Sequence, residues 1–322
     1  MQRINFCNLI YPSNKVPLSF IQLNDWSCIR IDGVDNKKYL QGQITINLDL
    51  LPYNKHIFCA HCNINGKIWS TFHLFYCRNS YMYIERTDVS LIQIFELKKY
   101  SIFSEVIIRK DNDVLLFGIV GNGSRQILKN FFLKLPDKDN SVICHKSAIL
   151  LWFNSPLERF MLIIKKNNLM LSKIINCFSQ ISTSDQWLSL DIESGFSIIS
   201  KMTTNKCSPL SVNLENLNGI DFNKGCYFGQ ESIAKIKFKS ANKQSLFWLI
   251  SCYPSTIIPK IGSLIELDKE NNWYIVGYVL IAISMYNGYI WIQAVLHKNI
   301  DLKSNLRIFS EVNNLFFVHK KF

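Results

Sequence analysis

The sequence predicts an α+β protein that ends in a small all-β barrel or sandwich, and three observations lead there. Up to about residue 195, short β-rich runs alternate with helical segments, and the pattern occurs twice, as two α+β units of similar kind would produce. From Ser245 onward the helical signal stops, and several short strand-like runs follow at close spacing. Between these regions lies Lys224-Gly225-Cys226-Tyr227-Phe228-Gly229-Gln230-Glu231, which puts two glycines, a thiol, an amide and a carboxylate into eight residues. Glycines at that density mark backbone that takes positive φ or approaches another group closely.

The elements follow in order. Leu18 to Leu23 is an apolar run that reads as a strand, and Asn24-Asp25-Trp26 interrupts it. Ser27 to Gly33 resumes the alternation and ends in a turn, which places Trp26 at a strand junction. Asp35 is an expected N-cap for a helix through Tyr39-Leu40-Gln41-Gly42-Gln43. Ile57 to His61 and Ile68 to Tyr76 read as two strands of a hairpin whose turn, Asn63 to Lys67, carries Gly66 where positive φ is wanted. Tyr81 to Glu85 adds a short strand. The helix from Thr87 has apolar Leu91, Ile94, Phe95 and Leu97, and closes with Lys98-Lys99, a charge suited to a helix C-terminus.

Ser104 to Arg109 and Val114 to Val120 return to strand, and a helix is expected from about Arg125 to Lys134 with Pro136 as its stop. Strands at Ala148 to Phe153 and Phe160 to Ile164 precede a helix near Asn168 to Phe178. A further helix begins at Ser184 or Asp185 and closes at Gly195, with Trp187, Leu188 and Ile192 on one side and Glu193 beside the turn. After the octapeptide, Ser232 to Lys239 alternates Ile236 and Phe238 with Lys235, Lys237 and Lys239, a period of two that predicts a strand with one basic face. Expected strands at 246–251, 264–267, 273–283, 289–296 and 316–319 are separated by turns at Pro254, Pro259, Gly262, Asn271 and Asn287-Gly288.

Composition bounds the function. The chain has 322 residues, 48% apolar and 19% charged, far from the profile of disorder. Its start lacks a charged segment followed by an unbroken apolar run, so no secretory signal is expected. The longest apolar stretch, around Tyr274 to Tyr286, falls short of the ~20 residues a spanning helix needs. The expectation is a soluble, cytoplasmic monomer without membrane contact. The net charge of +12 suits a polyanionic partner such as RNA. Lys is also spread along the chain with Asn, Ile, Phe and Tyr, as biased genome composition produces, and both readings stay open.

Ten cysteines in such a chain are expected to be mostly reduced thiols. Cys59-Ala60-His61-Cys62, with His56 nearby, is the one pair at C-x-x-C spacing, and without a second pair no metal site is expected. Cys226 is the candidate reactive thiol, and a neighbouring Lys224 or a turn amide would favour its thiolate. The alternative is a small residue wedged in a tight loop.

The octapeptide resembles the signature of the YgfZ family, folate-binding, tRNA-modifying relatives of the glycine-cleavage T-protein, an aminomethyltransferase. Further stretches resemble that family in the same order along the chain, among them Asp25-Trp26, Tyr39-Leu40-Gln41-Gly42-Gln43, Gly66-Lys67-Ile68-Trp69, Glu158-Arg159-Phe160, Gln186-Trp187-Leu188 and Ala241-Asn242-Lys243. The resemblance implies a three-domain ring. Residues 1–240 would hold two interleaved α+β, ferredoxin-like domains around a reduced folate, tetrahydrofolate or a derivative, and residues 241–322 the C-terminal β-barrel. It implies Trp26 and Trp187 as folate-contacting residues, where an indole offers a stacking face and one N–H donor. Glu193, in Ile192-Glu193-Ser194-Gly195, is similar to the carboxylate with which the T-protein relatives hold the pterin, although Asp191 stands where their arginine is expected. Lys224, Gly225, Tyr227, Gly229, Gln230 and Glu231 complete the signature around Cys226. The function implied is a folate-binding accessory factor in tRNA modification that maintains iron–sulfur enzymes such as tRNA methylthiotransferase. Contact with those clients would be transient, and contact with tRNA weak, through Lys235, Lys237, Lys239 and Lys243. The alternative is a folate-dependent one-carbon transferase of aminomethyl type.

Overall fold

A computed structural model describes residues 5–270, 272–309 and 311–322; the turn expected at Asn271 lies outside them. The chain opens with β1 (Asn5–Cys7), β2 (Ser19–Gln22), β3 (Trp26–Asp32) and α1 (Asn36–Gln41). It continues through β4 (His56–Cys62), β5 (Ile68–Cys77), β6 (Ser80–Arg86), α2 (Thr87–Lys98), β7 (Ile107–Lys110), β8 (Val114–Val120) and α3 (Ser124–Lys129). Next come β9 (Val142–Cys144), β10 (Ala148–Phe153), β11 (Arg159–Lys165), α4 (Leu169–Ile175), β12 (Gln180–Ser182), α5 (Ser184–Ser194) and α6 (Gln230–Phe238). The last part is all strand: β13 (Gln244–Ser251), β14 (Leu264–Lys269), β15 (Asn272–Ser284), β16 (Ile290–His297), β17 (Leu306–Ile308) and β18 (Glu311–Lys321).

The chain divides into two compact units. Unit 1 comprises residues 1–40, 47–57 and 72–190, and unit 2 residues 41–46, 58–71 and 191–322, so the division falls inside α1, β4, β5 and α5.

Unit 1 contains a seven-stranded sheet in the order β1-β12-β2-β8-β11-β10-β9. Its central strands β8 (VLLFGIV) and β11 (RFMLIIK) are nearly continuously apolar, as strands covered on both faces must be. Phe20, Phe117, Phe160, Leu162, Leu128 and Phe178 form one core cluster, and each fully buried side chain of this size contributes roughly 1.5–3 kcal/mol. Asn168, where a helix was expected to begin, caps α4, its side chain accepting from Met170 N. The helix expected over 125–134 is shorter, because the chain leaves it at Asn130, whose N–H closes onto Ile127 O and Leu128 O. Asp35 does not cap α1 with its side chain; its Oδ2 accepts Glu105 N at 2.9 Å and ties down the loop ahead of β7. The other sheet, β4-β5-β6-β3-β7, carries β3 between β6 and β7.

Unit 2 contains the closed six-stranded barrel β13-β16-β15-β14-β17-β18, filled by Phe247, Leu249, Val279, Ile292 and Phe316. Closure uses register shifts at Trp248/Leu249, Ile265/Glu266 and Val279/Ile281, bulges that bend strands around a small barrel. The expected Asn287-Gly288 turn joins β15 to β16, with Gly288 at φ 79°. A second cluster of unit 2 packs Phe58, Cys62, Ile68, Tyr227 and Ile233 with Leu246, Leu280 and Val295 of the barrel strands. It seats the octapeptide on the barrel.

One expectation is corrected here. Ser232 to Lys239 is not a strand: Gln230–Phe238 is helix α6. Its Ile233 and Ile236 are also spaced as one face of a helix, and Glu231 pairs with Lys235 one turn on, so period two and period 3.6 competed over a short segment. Most of the thiols are free, as expected, while Cys77 at the end of β5 is bonded to Cys144 at the end of β9. Among the described residues no helix is long and apolar enough to cross a membrane.

Candidate functional site

The octapeptide lies in unit 2 between the segment 41–46 and α6. Lys224 organises it. Its side chain is 7% exposed, and its Nζ donates to Gln41 O at 2.6 Å, Ile44 O at 2.9 Å and Ile46 O at 2.6 Å. These three bonds match the three protons of an ammonium. Lys224 thus serves as an internal clamp on the segment 41–46. Gln230 closes the loop from the other side: Oε1 accepts Tyr227 N at 3.1 Å and Nε2 donates to Lys224 O at 3.3 Å. Phe228 N donates to Gly42 O at 3.1 Å.

The two glycines differ. Gly229 has φ 83° and sits where a Cβ would lie 2.4 Å from Asn63 O, so the position demands glycine. Gly225 has no positive φ, and a Cβ there would meet nothing within 4 Å. The expectation of special backbone at Gly225 is overturned; its small size leaves open space beside the next residue.

That residue is Cys226, exposed at a cavity of about 770 Å3 lined mainly by carbon from Gly42, Ile64, Tyr227, Phe228 and Ala234, within the size range of small-molecule sites. Tyr227 is 6% exposed, its ring beneath the Lys224 ammonium at 5.0 Å and its phenol pushed above the usual range by burial. Glu231 is exposed and pairs with Lys235 at 2.5 Å, and Lys237 pairs with Glu215, so the basic face expected of this segment is partly neutralised. Cys59 and Cys62 are buried, and His61 is 2% exposed with burial lowering its pKa to about 3. Among the described residues no group of three or more His, Cys, Asp or Glu gathers as metal ligands do.

Trp26 and Trp187 belong to unit 1. Trp26 opens β3 and is 9% exposed, with the Arg86 guanidinium 4.5 Å from its ring centroid. Arg86 Nε and Nη1 are buried and make no hydrogen bond among the described residues, although the Asp25 carboxylate lies 4.0 Å from Nη1. Asp185, on the first turn of α5, has its carboxyl pushed up by burial and by the charge of Asp25, against the pull of Arg86. Ser184 Oγ donates to Asp25 Oδ2. The strand bearing Trp26 and the helix bearing Trp187 are thereby joined at their starts. Arg86 and Asp185 are the residues that sequence reading missed. Arg86 stands one position beyond the strand expected over Tyr81 to Glu85, and it is the register of β6 against β3 that sets it opposite Trp26.

Trp187 is enclosed. It is 1% exposed, Arg159 lies 4.2 Å from its ring centroid, Phe153 meets it edge-on at 5.4 Å, and a Cβ on Gly118 would stand 2.5 Å from its Cε3. Glu193 is half-buried near the end of α5, in the part of that helix assigned to unit 2.

The family described as "YgfZ, beta-barrel domain" matches residues 242–311. Curated proteins named tRNA-modifying protein YgfZ match nearly end to end. That of Buchnera aphidicola subsp. Acyrthosiphon pisum is 44% identical over 98% of this chain and 96% of its own length. That of Yersinia enterocolitica is 40% identical over 92% of this chain and 89% of its own. Among solved structures, the glycine cleavage system aminomethyltransferase T from Bartonella henselae superposes with a TM-score of 0.76 over 97% of this chain and 90% of that one, at 12% identity. The last likeness shows the fold.

Proposed function

The chain belongs to the YgfZ family, and we propose that it serves tRNA modification in the cytoplasm, as a folate-binding accessory factor that maintains iron–sulfur enzymes such as tRNA methylthiotransferase. The observation that carries this reading is the match along nearly the whole chain to proteins named as tRNA-modifying. The aminomethyltransferase likeness, at 12% identity, speaks to the fold and not to that enzyme's reaction.

The surroundings of Trp26 fit a reduced folate. A pterin is flat, carries N–H donors and presents a carbonyl acceptor. Trp26 offers an indole face, Arg86 offers Nε and Nη1 donors without hydrogen-bond partners among the described residues, and Asp185 offers a partly buried carboxyl. These residues would hold the ring, and the bound folate would supply one-carbon chemistry. Trp187, enclosed by Arg159, Phe153 and Gly118, would support the site from the core. The role given to Glu193 rests on the resemblance of its segment. Cys226, exposed at an apolar cavity of unit 2, is the group assigned to meet the client enzyme.

The test is complementation of a strain lacking the protein, with methylthiolated tRNA as the readout. Wild-type chain restores the modification, while Trp26→Ala loses folate affinity and Cys226→Ala keeps folate affinity but fails to restore the modification. Normal methylthiolation without the protein would overturn the reading.

A further inference from the structure

Unit 1 holds a smaller polar cavity of 140 Å3 that none of the roles above uses. On a share of ~30 Å3 per molecule it has room for about four waters, or for one tetrahedral oxyanion with little hydration. Four cationic side chains line it: Arg30 on β3, Arg78 in the β5–β6 turn, Arg109 on β7 and Lys165 at the end of β11.

Register explains the gathering. β3 and β7 are antiparallel with Arg30 opposite Arg109, which brings two guanidinium groups together. Asp32, two residues from Arg30 and therefore on the same face, brackets both. Its Oδ1 accepts Arg30 Nε at 2.7 Å and its Oδ2 accepts Arg109 Nη2 at 3.5 Å. Ser80 Oγ also donates to Oδ1. Partial burial pushes the Asp32 carboxyl up, but these bonds and the two arginine charges hold it below the usual carboxylate range, so the bracket is an anion. Arg78 has φ 55° in the turn and donates from Nη2 to His145 O. Each arginine thus spends one N–H on the protein, in bonds that fix the head groups, and retains others.

Two carboxylates share the lining, Asp111 and Asp113. Asp111 Oδ1 accepts Asp113 N at 3.2 Å and belongs to its own turn. Four cations against two lining carboxylates leave a formal excess of two, or one when Asp32 is counted. Fixed guanidinium forks match the oxygens of a phosphate better than they match chloride or a neutral solute. We propose that this cavity binds one phosphate group, presented either by a phosphorylated small molecule or by the backbone of an RNA. The proposal stands apart from the folate reading, since its cavity is lined by none of the residues assigned to folate or client.

The experiment titrates the full chain with inorganic phosphate by calorimetry, for wild type, Arg109→Gln and Lys165→Gln, with the thermal midpoint of each confirming that it folds. Lys165 is exposed at a strand end, so its variant keeps the test open if Arg109→Gln does not fold. The expected result is saturable binding at one site, weakened roughly tenfold or more in the folded variants, the size of one lost charge-assisted bond. No saturable phosphate binding by wild type, or equal affinity in the variants, overturns the proposal. A second arm measures affinity for a tRNA transcript. Parallel loss of phosphate and tRNA affinity identifies the RNA backbone as the source, and loss of phosphate affinity alone identifies a phosphorylated small molecule.

Discussion

Arg86 lies with its guanidinium 4.5 Å from the ring centroid of Trp26, while its buried Nε and Nη1 make no hydrogen bond among the described residues. An arginine held against an indole but short of acceptors is prepared for a ligand that brings oxygen atoms. Arg86→Ala is therefore expected to weaken tetrahydrofolate binding by about tenfold or more, the value of one charge-assisted bond, with Trp26→Ala at least as damaging. Quenching of tryptophan fluorescence during folate titration measures the first variant, and calorimetry the second. Full affinity in Arg86→Ala would remove Arg86 from the site.

Lys224→Met keeps the length of the side chain and removes all three bonds to Gln41, Ile44 and Ile46. Three carbonyls, two of them in buried bonds, lose this donor, so a loss of about 3 kcal/mol in unfolding free energy is expected. Denaturant unfolding reads it directly; an unchanged midpoint would mean that water replaces the ammonium without cost.

Substituting alanine at the two glycines of the loop separates conformation from access. Gly229→Ala meets both a positive φ and a backbone oxygen, and is expected to cost on the order of 2 kcal/mol. Gly225→Ala enters open space and should change stability by less than about 0.5 kcal/mol. Equal effects in thermal unfolding would contradict the loop geometry.

Short exposure to iodoacetamide should label Cys226 and Cys177, both exposed, and leave Cys59, Cys62 and Cys207, all buried, unmodified. Burial also raises the pKa of these three thiols, which suppresses their reactive form. Peptide mass spectrometry decides the order, and labelling of Cys62 ahead of Cys226 would refute it.

Stability is expected to fall in mild acid. Burial lowers the pKa of His61 to about 3 and that of His56 to about 4. Between those values and the ordinary histidine value near 6.5 the unfolded chain takes up protons that the folded chain refuses, so acid favours unfolding. The loss begins as pH falls through about 6.5 and levels off near the folded values, with a slope of up to about 1.4 kcal/mol per pH unit per histidine. Unfolding curves at a series of pH values test this, and a flat profile between neutrality and pH 5 would show that the histidines are protonated when folded.

Much of the architecture was legible in the sequence because its strands are long and its breakers strong. The Asn287-Gly288 turn, the Gly66 hairpin and the capped α4 each follow from chemistry within a few residues. What escaped depends on distance. α6 was misread because nine residues carry too few periods to separate alternation from a helical face. The three-residue strands β1, β9, β12 and β17 exist through their partners and have little signal of their own. The Arg30–Arg109 pairing and the Arg86–Trp26 stack are products of register, which no local pattern declares.

The Lys224 clamp joins residues about 180 positions apart in the chain. A free peptide with the sequence of residues 224–231 would therefore display the same side chains without their arrangement. During synthesis the segment 41–46 emerges early and waits, its carbonyls without this donor, until residue 224 has been made. The thiol of Cys226 consequently acquires its setting as one of the later events in assembly, and a truncated chain ending before the octapeptide would keep the carbonyls of Gln41, Ile44 and Ile46 but lack the ammonium that gathers them.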